Sequence, residues 1–166
     1  MTTPEVPTAA VARTRHTRVD LTGEAADLLR RLTDRHGRLM FHQSGGCCDG
    51  SSPMCYPLGD FATGEVDVHL GDLVVDGLPD IPFWMSASQY EYWKHTHLTV
   101  DVVTGRGSGF SVEAPEGVRF LIRSRLMSED ELHAFGLLQG PPGPGAGRAR
   151  GATRAPPDRA PHHRRT

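Results

Sequence analysis

Between positions 19 and 37 apolar side chains fall at Leu21, Ala25, Leu28, Leu29 and Leu32, three or four residues apart. That spacing predicts a helix with one buried stripe. Asp20 or Thr22 can cap its start, and Gly37 supplies its stop. After Gly37 the period becomes two. Leu39, Phe41 and Gln43 alternate with Met40 and His42, which predicts a strand running into Ser44-Gly45-Gly46. Further extended runs are predicted over 54–58, 66–70, 72–76, 82–85, 98–103, 110–114 and 118–123, separated by turns such as Gly59-Asp60 and Gly105-Arg106-Gly107. Residues 86–93 read as a short helix capped by Ser86, with Tyr90 and Trp93 facing inward. Ser128-x-x-Glu131 has the form of a capping box opening a last helix through Leu138. The pattern predicts an α+β fold: a leading helix packed on a compact, mainly antiparallel β-structure, as one domain over 18–139.

Composition changes the picture at the ends. The chain has 166 residues, with 19 glycines and 13 prolines. Residues 1–17 lack periodicity and read as a disordered lead. Residues 140–166 are rich in Gly, Pro and Arg without core formers, and read as a disordered tail. The formal charge of −2 is split: 12 basic and 19 acidic residues up to Gly140, then six arginines and one acid, Asp158, beyond it. An acidic folded part makes nucleic acid an unfavourable partner. No run reaches the roughly 20 apolar residues of a membrane helix, and the N-terminal stretch lacks the apolar centre of a secretory signal. The expected location is the cytoplasm, where cysteines remain thiols.

All three cysteines lie in one stretch, His42-Gln-Ser-Gly-Gly-Cys-Cys-Asp-Gly-Ser-Ser-Pro-Met-Cys55. Gly45, Gly46 and Gly50 permit a sharply bent loop that presents Cys47, Cys48 and Cys55 at a sheet end. Clustered thiols in a reducing compartment point to metal, redox or nucleophilic chemistry. Neighbouring side chains such as Cys47 and Cys48 diverge, so one of them with Cys55, completed by a histidine or by a partner subunit, forms the simpler site. On the strand over 98–103, Leu98, Val100 and Val102 face one way and His95, His97, Thr99 and Asp101 the other. Two imidazoles two residues apart can grip an ion, which makes His97 and His95 candidate ligands, with His42 a third. His69 reads as a hydrogen-bonded strand residue, and Trp84, Tyr90, Tyr92 and Trp93 as core or subunit-contact residues. The chain lacks a Walker loop, a G-x-S-x-G elbow, an H-E-x-x-H helix and a C-x-x-C pair.

From LMFHQSGGCCDGSSPMCYPLGDF through FWMSASQYEYW to GVRFLIRSRL the chain closely resembles a bacterial family catalogued as domain of unknown function 779. Members of that family are often encoded beside aldehyde or alcohol dehydrogenases, so the resemblance implies an accessory role in that metabolism. A second resemblance is to the HesB-like A-type iron–sulfur carriers, through Gly45-Gly46-Cys47-Cys48-Asp49-Gly50, Gly71-Asp72 and Ser108-Gly109-Phe110. It implies a HesB-like fold and makes Cys47 or Cys48 equivalent to the carriers' first cluster cysteine. The carriers' C-terminal Cys-x-Cys is missing here, since no cysteine follows Cys55.

The expectation is therefore a metal- or iron–sulfur-binding accessory protein, more a carrier than an enzyme. Its cofactor would be Fe, Zn or an iron–sulfur cluster, held by Cys47, Cys48 and Cys55 with His97, His95 or His42. A homodimer and an aldehyde or alcohol dehydrogenase are the expected partners. Two alternatives stand beside it: an enzyme with Cys47 as nucleophile acting on aldehydes or thiol adducts, and a non-catalytic dehydrogenase-binding partner.

Overall fold

The computed structural model describes residues 16–45, 52–107 and 109–138. The helix legible in the sequence is α1, Gly23–His36, whose Ala25, Leu28, Leu29 and Leu32 are buried as the periodicity requires. Thr22 caps it, its side chain accepting from the Ala25 N–H, and Gly37 ends it at φ 77°, a left-handed conformation that suits glycine. The helix starts later than the apolar spacing alone implies. Val19–Leu21 is a short strand, β1, parallel to a strand over 96–104 in the register Val19↔Leu98. The Thr22 N–H still donates to Val100 O, so pairing with a distant strand decides the first turn.

The alternating stretch after Gly37 is β2, Leu39–Gln43. It pairs antiparallel with β3, Met54–Pro57, and parallel with β5, Ile81–Ser86. The two runs expected over 66–70 and 72–76 are one strand, β4, Asp67–Leu73, with an irregularity between His69 and Gly71 that resets its register on β5. An unpaired residue at such a bulge breaks the alternation, and the sequence pattern splits there. This sheet has the order β3-β2-β5-β4. The second sheet, β1-β6-β7, contains β6, Thr96–Thr104, and β7, Val118–Leu126.

Between β5 and β6 in the chain lies α2, Ala87–Trp93, capped by Ser86 as expected; Tyr90 and Trp93 pack partly buried against the core while Tyr92 is exposed. The strand expected over 110–114 does not form. Phe110 is exposed, Ser111 and Glu113 are buried, and a 3₁₀ turn follows at Ala114–Glu116. Two buried polar groups beside an exposed Phe invert the expected alternation. The last helix, α3, Glu129–Ala134, has the complete capping box of Ser128 and Glu131 but stops short of Leu138.

Both sheets and α1 share one apolar core, with Phe41 at its centre: its ring stacks on Phe83 at 5.7 Å and meets Phe120 edge-on at 4.9 Å. The fold class is α+β with mainly antiparallel strands. Among the described residues no helix is long and apolar enough to cross a membrane. Of the expected lead over 1–17 only residues 16 and 17 are described, and the expected tail over 140–166 lies outside the described residues.

Candidate functional site

The cysteine loop joins β2 to β3. Cys47, Cys48, Gly46, Asp49 and Gly50 lie outside the described residues, but both feet of the loop are described. On the first side Gly45 lies against the start of α2: a Cβ there would meet Ser88 Oγ at 3.2 Å and Gln89 Nε2 at 3.3 Å. On the other side Ser52 Oγ accepts from Arg119 Nη1 at 3.0 Å. The ladder pair His42↔Met54 closes the loop at its base.

His42 sits at that base and is buried, although it points away from the core. Its neighbour Phe41 faces inward, and side chains alternate along a strand. Nε2 of His42 lies 3.0 Å from Asp67 Oδ1, and Nδ1 lies 2.8 Å from Ser44 Oγ. The Gly64 N–H, foremost, and then the His42 hydrogen bond hold the Asp67 carboxyl below its ordinary range, so it is ionised at neutral pH. A carboxylate only accepts, so the hydrogen bond between them runs from the His42 Nε2–H to Asp67. The ring of Phe61 covers the imidazole at 4.3 Å and stacks in turn on Tyr56 at 5.0 Å.

Cys55 faces the other way. It is the ladder partner of Phe41, and paired residues share a face, so the sheet itself separates its thiol from the His42 ring. It is fully buried, and burial, helped by the charge of Glu113, pushes its pKa well above the ordinary thiol value. Around it lies a second polar cluster. The Ser111 hydroxyl accepts from the Cys55 N–H at 2.9 Å and donates to Glu113, whose other oxygen faces the Phe120 N–H. Burial raises the Glu113 pKa, against the hydrogen bond from Ser111.

The other histidines are dispersed. His97 is buried on the outer face of β6, with Nε2 3.4 Å from Asp20 Oδ2 and 3.5 Å from Thr17 Oγ1. His95 is exposed in the turn before β6. His69 pairs with Asp72 at 2.8 Å, and its ring lies 5.0 Å from that of Trp84. The registers His42↔Met54, His42↔Trp84 and His69↔Trp84 place Met54, His42, Trp84 and His69 in one row across the outer face of the sheet. Among the described residues no three His, Cys, Asp or Glu side chains gather as a metal-holding group.

Among the described residues His42 stands at the base of the loop on the face of the sheet opposite to Cys55, and His97 and His95 lie on β6 and in the turn before it. Asp67, Ser44 and Phe61 are the residues that the sequence reading misses. Alternation along β4 puts Asp67 on the same outward face as His69, but that it meets His42 follows only from the strand order. No curated protein and no solved structure matches this chain. The model of a family described as a domain of unknown function, DUF779, matches residues 28–126, from α1 to the end of β7 and across the whole cysteine loop. The chain belongs to that family.

Proposed function

We propose that the protein is a metal- or iron–sulfur-binding accessory protein of aldehyde or alcohol dehydrogenase metabolism. In this reading Cys47 or Cys48, or both, supply thiolate and His42 supplies an imidazole nitrogen. The observation that carries it is the Asp67–His42–Ser44 arrangement at the base of the cysteine loop. A ligating imidazole usually gives its second nitrogen to a carboxylate, which fixes the tautomer and raises ligand basicity. His42 has that partner in Asp67, and Nδ1 faces Ser44, the residue that leads into the loop. Imidazole with thiolate suits Zn or an iron–sulfur species. The likeness of the loop to that of the A-type carriers supports the same reading, and the dehydrogenase association rests on the family resemblance. Cys55 serves as a core residue in this account, and His95 and His97 are not ligands.

Elemental analysis of anaerobically purified protein tests it. The expected result is near-stoichiometric Zn or Fe in the native chain, its loss in Cys47→Ala/Cys48→Ala, and a metal affinity about 10- to 100-fold lower in Asp67→Asn. Metal retained in the double cysteine variant overturns the reading.

The same geometry favours a second reading, in which His42, oriented by Asp67, is the base for a nucleophilic loop thiol that attacks aldehydes or thiol adducts. Rapid alkylation of a single loop cysteine at neutral pH, unchanged by chelator, selects this reading over the first.

A further inference from the structure

Ser44 is exposed where β2 runs into the cysteine loop, two residues beyond His42. Its Oγ is 2.8 Å from His42 Nδ1, and His42 Nε2 is 3.0 Å from Asp67 Oδ1. A hydroxyl, an imidazole and a carboxylate in this order are the parts that activate a serine, and such a triad is defined by geometry and roles rather than by sequence position. With its Nε2–H given to Asp67, the neutral ring keeps Nδ1 as the acceptor for the serine proton. The His42 and Asp67 side chains are only 4% and 12% exposed, and the ring of Phe61 covers the imidazole, so the pair is shielded while the serine is open.

An amide stands beside the serine. Trp93 Nε1, which can only donate, gives its proton to Gln89 Oε1 at 3.1 Å. The Gln89 amide is thereby oriented with Nε2 turned towards Gly45, the residue after Ser44; a Cβ on Gly45 would lie 3.3 Å from that nitrogen. Met54 and Trp84 flank His42 on the outer face and offer apolar contact to a short acyl chain. Between Arg38 and Lys94 the chain has eight acids and no lysine or arginine, which disfavours an anionic acyl group.

We propose that the chain hydrolyses carboxylic esters of short uncharged acids, with Ser44 as nucleophile, His42 as base, Asp67 as the carboxylate that positions it and Gln89 as an oxyanion donor. Ser44 Oγ bonds to the carbonyl carbon as its proton passes to His42 Nδ1, and the carbonyl electron pair moves onto the oxygen that faces Gln89. The C–O bond to the alcohol then breaks, and His42 gives the proton to the leaving oxygen. Water attacks the acyl carbon on Ser44, passing a proton through His42 back to Ser44, and the acid leaves. Nδ1 cannot serve the hydroxyl and an ion at once. The reaction therefore belongs to the metal-free chain, and it stands or falls apart from the metal reading and from the loop thiols.

A fluorophosphonate probe with peptide mapping, and turnover of p-nitrophenyl acetate, both on the chelator-treated full chain, test this. The expected results are an adduct on Ser44 and ester turnover, each lost in Ser44→Ala. Asp67→Asn should lower kcat about a thousandfold or more with KM little changed, and Gln89→Leu should lower it about a hundredfold. Ser44 is exposed, so Ser44→Ala leaves the core intact and decides the matter even if Asp67→Asn fails to fold. No adduct on Ser44, an adduct on Cys47 or Cys48 in its place, or turnover that survives Ser44→Ala overturns the proposal, as does a kcat unaltered in Asp67→Asn or Gln89→Leu.

Discussion

At the scale of single residues, burial and hydrogen bonding give chemically similar groups opposite behaviour. Cys55 is enclosed by the core with its pKa pushed up, so it remains a protonated thiol at neutral pH. Since the thiolate is the reactive form, Cys55 should resist iodoacetamide in the native protein at pH 8 and react once the chain is unfolded in guanidinium. Peptide mapping by mass spectrometry distinguishes it from the loop cysteines, and ready native labelling of Cys55 would show that its surroundings are misjudged. Glu113 carries a linked prediction. Its folded pKa is raised by burial, so the folded state holds its proton more tightly than the unfolded state does. Its contribution is most favourable below the ordinary carboxylate range and is lost as pH rises through the folded value. Glu113→Gln keeps a neutral hydrogen-bonding group beside Ser111. The variant should be no less stable than the native protein at pH 8, and its advantage should disappear towards pH 4, as read from melting temperature against pH. Asp67, Asp101 and Glu131 run the other way. Hydrogen bonds, chiefly from the Gly64 N–H, Arg123 and Arg125 respectively, lower their pKa values, so their stabilisation is present at neutral pH and fades as pH falls below the ordinary range.

At the scale of elements, end signals and core contacts decide what forms. Thr22 caps α1 and also donates to Asp101 Oδ1 at 2.9 Å, tying the helix start to β6. Thr22→Ala should cost about 1–2 kcal/mol in chemical denaturation. Phe41→Ala, which removes the ring that joins Phe83 to Phe120, should cost about 3–5 kcal/mol. These elements also mark how far the sequence is legible. The stripe on α1, the alternation in β2 and β6, Ser86 and the Ser128–Glu131 box are local signals, and each appears in the structure where the pattern puts it. The failures share a physical cause. Val19–Leu21 is held by hydrogen bonds to a strand nearly eighty positions away, β4 carries an irregularity at Gly71, and the 109–113 turn buries Glu113 against groups from Cys55 and Phe120. In each case a long-range partner outweighs the local period. The same holds for the site: His42 is recognisable as a strand residue, while its pairing with Asp67, 25 positions on, depends on the order β3-β2-β5-β4.

At the scale of the whole molecule, β2 separates two chemistries. Its inward side chains build the core around Phe41 and enclose Cys55, and its outward side chain His42 stands beside Asp67 at the base of the loop that holds Cys47 and Cys48. A stable core on one face and an oriented imidazole on the other is what a thiolate–imidazole centre requires of its scaffold. X-ray absorption at the metal edge of the anaerobically purified protein tests that claim most directly. The account predicts sulfur at about 2.3 Å together with imidazole nitrogen at about 2.0–2.1 Å, the sulfur disappearing in Cys47→Ala/Cys48→Ala and the imidazole signal in His42→Ala. A first shell of oxygen or nitrogen alone, or one unaltered by these substitutions, would contradict it.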